Sequence, residues 1–66
     1  MKISIYNRVR YLRPLNTKDE IKTGDIGYVI EDYGDGNFEV EFSDPNGVTR
    51  AQVVISGHHL ESAEKS

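Results

Sequence analysis

Glutamates recur in the middle of the chain, at a spacing that places their carboxylates on one side of the predicted strands. Glu31, Glu39 and Glu41 form an acidic outer face, with Tyr33 and Val29 between them. Paired carboxylates carry out acid–base chemistry only when a cleft removes them from water. The convex face of a small β-domain offers no such cleft. We interpret this face as a solvated surface or as a docking surface for a basic partner.

A second group combines arginines with aromatic residues near the N-terminus. Its members are Tyr6, Arg8, Arg10, Tyr11 and Arg13. This composition is typical of surfaces that bind single-stranded nucleic acid. Three arginines are few, however, and a net charge of −3 argues against nucleic acid, because phosphate-binding domains are usually basic. A solvated or ion-paired strand, a protein-docking strand and a nucleic-acid site all stay open.

Adjacent histidines at His58 and His59 raise the question of a metal site. Neighbouring side chains on an extended segment point to opposite sides, so one site would need ligands from elsewhere. Nothing nearby has metal-ligand spacing, and no serine is placed to be activated by a histidine. We therefore predict no metal, no cofactor and no catalytic residue.

The most specific local motif is Gly-Asp-Ile-Gly-Tyr-Val at residues 24–29. Gly24 and Asp25 predict a tight turn, and Gly27 permits a bulge or a close backbone approach within a strand. Similar stretches open strands in ribosomal and elongation-factor modules that bind RNA. No helix follows to form a phosphate site, so we interpret the motif as structural.

Short strands between turn signals dominate the chain, and no long helical repeat interrupts them. Apolar and acidic residues alternate strictly at 38–42, which predicts a strand with one buried face and one wet face. Turns rich in Gly, Asn, Asp and Pro flank it. The predicted strands cover residues 3–12, 26–33, 38–43, 48–55 and 60–61. The fold class is therefore all-β: a small five-stranded barrel of the Src-homology-3-like kind, with a central three-stranded meander.

The register of the meander follows from the expected turn lengths. A four-residue loop at 44–47 places Val40 opposite Ala51, Glu41 opposite Arg50 and Glu39 opposite Gln52. A three-residue loop at 34–36 turns Tyr28 and Ile30 inward and places Asp32 opposite Phe38. The alternative, slipped by one residue, buries Gly27 and Val29 instead. We prefer the first register, and its inward set is Tyr28, Ile30, Phe38, Val40, Phe42, Ala51 and Val53.

The chain has 66 residues and no cysteine, so one small domain must be stable without disulfides. Residues 1–61 are predicted to form this domain, and 62–66 to form a disordered tail. The chain reaches Asn7 and Arg8 before an apolar run can form, which indicates neither a secretory signal nor a membrane span. We expect a cytoplasmic protein.

A longer series of residues resembles a known family. The series is Val9-x-Tyr11-Leu12, then Ile21-x-x-Gly24-Asp25-x-Gly27-x-Val29-x-Glu31, then Glu39-Val40-Glu41-Phe42-x-Asp44-x-x-Gly47-x-Thr49-x-Ala51, ending in Leu60. It is similar to the short bacterial proteins grouped as domain of unknown function 4926. Tyr28, where the family often has threonine, and Asp32, where an apolar residue is usual, depart from the pattern. The resemblance implies a small Src-homology-3-like barrel in bacterial cells, with no assigned activity.

The function predicted from the sequence is that of a non-catalytic protein-binding module. Its binding residues are Glu31, Tyr33, Glu39, Glu41, Arg50 and Gln52. Short reading frames of this kind often lie in toxin–antitoxin or immunity gene pairs, which suggests by association that the partner is a toxin. One alternative is a weak RNA-binding barrel that uses Tyr6, Arg8, Arg10 and Arg13. Another is an accessory subunit of a larger complex. We expect another protein as the partner, no membrane, and a monomer when the chain is free.

Overall fold

One antiparallel sheet accounts for the fold of residues 3–64, which are the residues that the computed structural model describes. Its strands are β1 (Arg8–Tyr11), β2 (Ile26–Asp32), β3 (Asn37–Ser43), β4 (Thr49–Ser56) and β5 (Leu60–Ser62), with a 3-10 turn at Gly57–His59. The five strands lie in the order β4-β3-β2-β1-β5. The all-β class and the central meander are confirmed. The strand pairing leaves β4 and β5 as the two edges of the sheet and does not close it into a barrel.

The core lies on the inner face of this sheet. The largest fully buried side chains are Val9, Ile21, Val29, Val40 and Phe42. The rings of Tyr11 and Phe42 meet edge to face, with their centroids 6.5 Å apart. Ile21 reaches the core from the long connection between β1 and β2, where its carbonyl accepts a hydrogen bond of 2.7 Å from the backbone N–H of Asn16. The described residues contain no helix with the length and hydropathy needed to span a bilayer.

The preferred register between β2 and β3 is wrong over the first half of β2. Gly27 faces Phe42, Tyr28 faces Glu41 and Val29 faces Val40. Val29 is therefore fully buried, whereas Tyr28 is 48% exposed. The reason lies in Gly27, because a Cβ at this position would come within 2.7 Å of Val40 Cγ1. Only a residue without a side chain can lie here against β3.

A bulge at Ile30 reconciles the two registers. The pairing shifts between Val29 and Glu31, so Ile30 is an extra residue on β2. Beyond it the predicted pairing holds, and Asp32 lies opposite Phe38. The Asp32 carboxylate does not enter the core: its Oδ1 accepts a hydrogen bond of 2.9 Å from the backbone N–H of Gly34, which starts the turn into β3.

The register between β3 and β4 differs from the prediction by two residues. Val40 faces Val53 rather than Ala51, and Glu41 faces Gln52 rather than Arg50. One residue of the difference comes from the turn, where the N–H of Asp44 donates to the carbonyl of Val48 at 3.0 Å and shortens the loop. The other comes from a register shift beside Phe42. Beyond Phe42 the total shift is even, so the side chains of residues 51–55 stay on their predicted faces.

The strand pairing extends further toward the C-terminus than residue 61, where the predicted domain ends. Ser62 belongs to β5, although it was assigned to a disordered tail. Ala63 is 8% exposed, and its N–H donates a hydrogen bond of 2.8 Å to the carbonyl of Arg8. The pairing with β1 therefore continues through residue 63. Residues 65 and 66 of the predicted tail lie outside the described residues.

Candidate protein-docking face

Cross-strand pairing aligns a row of side chains across four strands on the outer side of the sheet. Arg8 lies opposite Tyr28, Tyr28 opposite Glu41, and Glu41 opposite Gln52. Residues that face each other in an antiparallel pair point to the same side of the sheet. A second row on the same side contains Glu31, Glu39 and Val54. On β3 and β4 it lies two residues along the strand from the first row. We call these seven residues the outer face.

Tyr28 occupies a central position on the outer face, which differs from its predicted inward position. Its side chain is 48% exposed, between the guanidinium-bearing Arg8 on β1 and the carboxylate-bearing Glu41 on β3. The signal that could have revealed it is Gly27. A glycine within a strand indicates a position that packs closely against its neighbour, which here is the inner face. Side chains alternate along a strand, so the next residue, Tyr28, points outward. The same correction removes Val29 from the acidic surface, where it was predicted to lie.

Glu39 accepts hydrogen bonds on both sides, from Tyr33 just beyond the end of β2 and from Gln52 on β4. The Tyr33 hydroxyl donates to its Oε1, and the Gln52 side-chain amide donates to its Oε2. These bonds favour the charged carboxylate and lower the pKa of Glu39, while the bond to Glu39 raises the pKa of Tyr33. Glu39 therefore stays ionised at neutral pH. The arrangement presents a fixed negative charge rather than a proton donor.

Glu31 and Glu39 face each other directly across β2 and β3. Like charges in a cross-strand pair are destabilising. Glu31 is exposed, and within residues 3–64 its carboxylate has no hydrogen-bonded or ion-paired partner. Glu41 differs, because the Thr49 hydroxyl donates a hydrogen bond of 3.0 Å to its carboxylate. The outer face thus contains an uncompensated negative charge that a cationic group could neutralise.

Arg50 does not pair with Glu41, as was predicted, but with Asp25. Its Nη2 lies 3.0 Å from Asp25 Oδ2, and Lys22 Nζ lies 3.5 Å from Oδ1 of the same carboxylate. The Asp25 side chain is only 15% exposed. Burial raises the pKa of Asp25, but the hydrogen bonds from the Lys22 N–H and from Arg50, together with both positive charges, outweigh burial and lower it. The cluster ties the start of β2 to β4.

We expect Asp25→Asn to lower the free energy of unfolding at neutral pH by about 1–2 kcal/mol, because it removes charge-assisted hydrogen bonds. A lowered folded-state pKa stabilises the fold above the unfolded-state pKa of Asp25. This stability is lost as the pH falls through the folded-state pKa. Urea unfolding at pH 7 and pH 3 should therefore show a difference that shrinks in acid. The control Asp35→Asn changes an exposed turn residue and should cost little. Equal losses in both variants would contradict the assignment.

The arginines of the alternative nucleic-acid surface are already engaged. Arg8 Nη1 donates a hydrogen bond of 2.9 Å to the carbonyl of Ala63, and Arg10 forms an ion pair with Glu61 on β5. Tyr11 is buried in the core and offers no face for a base. Tyr6 is 78% exposed, and Arg13 is exposed just beyond β1. The structure therefore does not assemble these residues into one basic, aromatic strip.

The histidines lie in the 3-10 turn between β4 and β5. His58 lines a cavity of about 240 Å³ whose other walls are mostly apolar, among them Ile3 and Phe38. Within residues 3–64, no three side chains of the metal-ligating types converge on one point. The cavity has no second titratable residue in its lining. We assign no chemistry to it.

A family model described as Domain of unknown function (DUF4926) matches residues 5–62. The chain belongs to this family. The match contains all five strands, from Arg8 to Ser62, and it confirms the family resemblance drawn from the sequence. Neither the curated proteins nor the solved structures gave a match. The outer face lies entirely within residues 5–62, which the family model matches.

Proposed function

We propose that the chain is a non-catalytic protein-binding module that receives a basic partner on its outer face. The observation that carries this proposal is the position of Tyr28, half exposed in a row with Arg8, Glu41 and Gln52. Tyrosine and arginine are the residue types that most often dominate the energy of protein interfaces. A sheet holds such side chains in fixed positions, so little conformational entropy is lost on binding.

The electrostatics of the outer face support a cationic partner. Glu31 lies directly opposite Glu39, and the whole chain has a net charge of −3. A lysine or arginine of a partner placed between these carboxylates would relieve their repulsion. Complementary charge also speeds the encounter of two proteins and excludes wrong partners. Apolar contact area is available beside the acids, because Tyr33 and Val54 are 49% and 58% exposed.

The finer fold that we propose is the Src-homology-3-like barrel. Its support is the strand order, in which β1 lies between β2 and β5 while the meander β2-β3-β4 forms the other half of the sheet. The 3-10 turn at Gly57–His59 leads the chain from one edge strand to the other. One core lies beneath both halves. Fold alone does not give function, so the binding proposal rests on the outer face.

A toxin-neutralising role is the sharper form of this function. The acidic outer face would then cover a basic surface of the toxin. The RNA-binding alternative is weaker, because the carboxylate of Glu61 neutralises Arg10 and a backbone carbonyl binds Arg8. An accessory subunit would use the same outer face against a larger assembly, so it shares the test that follows.

We expect the double substitution Glu39→Lys/Glu41→Lys to abolish partner capture, because it reverses the charge of the outer face. The fold should persist, because both side chains point away from the core and are only partly buried. The measurement is affinity capture from an extract of the source cells, followed by mass spectrometry of the retained proteins. The matched control Glu20→Lys/Glu64→Lys makes the same change in net charge at two exposed positions that do not belong to the outer face. If both double variants retain the same proteins in equal amounts, the outer face is not the binding surface.

A further inference from the structure

The free edge of β4 is a second surface that could bind another protein strand. β4 is the first strand in the sheet order, and within residues 3–64 no strand pairs with its far side. Natural edge strands are usually protected by lysines, prolines, bulges or short length. β4 has eight residues, Thr49–Ser56, with neither lysine nor proline among them, and its register shift lies beside Phe42, before residue 52. Its one charged residue, Arg50, is paired with Asp25, so residues 52–56 have no protecting charge.

The backbone hydrogen bonds show which groups face this edge. The N–H of Gly57 donates to the carbonyl of Gly36 at 2.8 Å, in the same register that places Phe38 opposite Ile55. Backbone groups in an antiparallel strand point alternately to its two neighbours. The backbone N–H and C=O groups of Val53 and Ile55 therefore bond to β3. The backbone groups of Gln52 and Val54 point away from β3, toward the free edge. Two residues thus present unpaired donors and acceptors in a row.

In place of the monomer expected from the sequence, we propose that a second copy of this chain pairs with β4 along this edge, antiparallel and related by a two-fold axis. With Val53 at the axis, Gln52 of each copy lies opposite Val54 of the other, and their free backbone groups can bond to each other. Arg50 then lies opposite Ser56, so no like charges meet. Such an interface is self-complementary, which is the commonest arrangement in protein dimers.

The side chains of β4 favour a copy of itself over a foreign basic strand. Pairing across the axis brings Ala51 beside Ile55 of the second copy, and it covers Ala51 and Val53, which are only partly buried in the free chain. The glutamates lie one strand further in, and their carboxylates already accept hydrogen bonds from Gln52 and Thr49. β4 itself contains no aspartate or glutamate that would favour a basic strand as its partner. The β4 edge uses backbone groups rather than the acidic side chains, and it shares only Gln52 and Val54 with the outer face.

Sedimentation equilibrium of the full chain tests this dimer directly. We expect a monomer–dimer equilibrium with a dissociation constant below about 1 mM. Val54→Lys should raise that constant at least tenfold, about 1.4 kcal/mol, because lysine is the residue that natural edges use to prevent pairing. The matched control is Val48→Lys, since Val48 is equally exposed at 62% against 58% for Val54 and lies in the turn before β4. Circular dichroism at low concentration confirms that both variants fold.

Amide hydrogen exchange provides the second readout. In the wild-type chain, exchange at Gln52 and Val54 should slow as the concentration rises through the dissociation constant, while exchange at Asn46 should not change. A chain that sediments as a monomer up to about 1 mM overturns the proposal. So does equal association of the two lysine variants, which would place the contact elsewhere on the surface.

Discussion

Replacing Gly27 with alanine is expected to remove a large part of the free energy of unfolding. The new Cβ would lie 2.7 Å from Val40 Cγ1 and 2.8 Å from the carbonyl oxygen of Glu41. The second of these is a backbone atom in the middle of β3, so relief requires β2 and β3 to separate. Overpacking of this kind costs about 1–3 kcal/mol, and a domain of this size has only about 3–5 kcal/mol in total. Chemical denaturation measures the loss.

Gly24→Ala is the matched control for this prediction. Gly24 has a φ of +93°, but no atom lies within 4 Å of the place where its Cβ would be. Its substitution should therefore cost only the backbone strain, about 1–2 kcal/mol. If Gly27→Ala is as stable as the wild type, β2 does not pair with β3 through Gly27 and Phe42. The register with Tyr28 inward would then have to be restored.

Replacing Tyr28 with alanine is expected to weaken partner binding at least 30-fold, which is about 2 kcal/mol. The side chain lies in a row that crosses four strands, with Arg8 on one side and Glu41 on the other. A partner that covers the row excludes water from Tyr28, and alanine leaves that contact empty. Stability should fall little, because the residue is half exposed. Binding is measured by titrating the captured partner.

Leu15→Ala is the control for the substitution at Tyr28. Leu15 is 59% exposed in the connection after β1, away from the outer face. Its loss removes a comparable apolar surface without touching either row of the outer face. Binding that weakens equally in the two variants would mean that the partner does not depend on the outer face.

The sequence was sufficient for the strands and their faces but not for their registers. Alternation at 38–42 correctly places Phe38, Val40 and Phe42 inward, because a half-buried strand must repeat every two residues. Register depends on bulges, and these arise from contacts between strands. The extra residue at Ile30 shifts the register so that Gly27 lies opposite Phe42, and a count of turn residues cannot reveal such a shift.

The candidate site was predictable to a similar degree. The acidic residues of β3 point outward as predicted, because their positions follow from alternation alone. Arg50 was assigned to Glu41 by a turn length, whereas its partner Asp25 lies 25 positions away in the sequence and 3.0 Å away in the structure. Tyr28 was placed inward by the assumed three-residue loop at 34–36, which sets the wrong register for the first half of β2. Its exposure follows from Gly27, one residue earlier.

The most direct test of partner binding at the outer face is site-specific photo-crosslinking in the source cells. A photoreactive phenylalanine placed at Tyr33, which is 49% exposed and contacts Glu39, should form a covalent adduct with a protein. The same group at Leu15, 59% exposed, should not capture that protein. A strong adduct from position 33 alone is the result we predict. Equal adducts from both positions, or none from position 33, would contradict binding at the outer face.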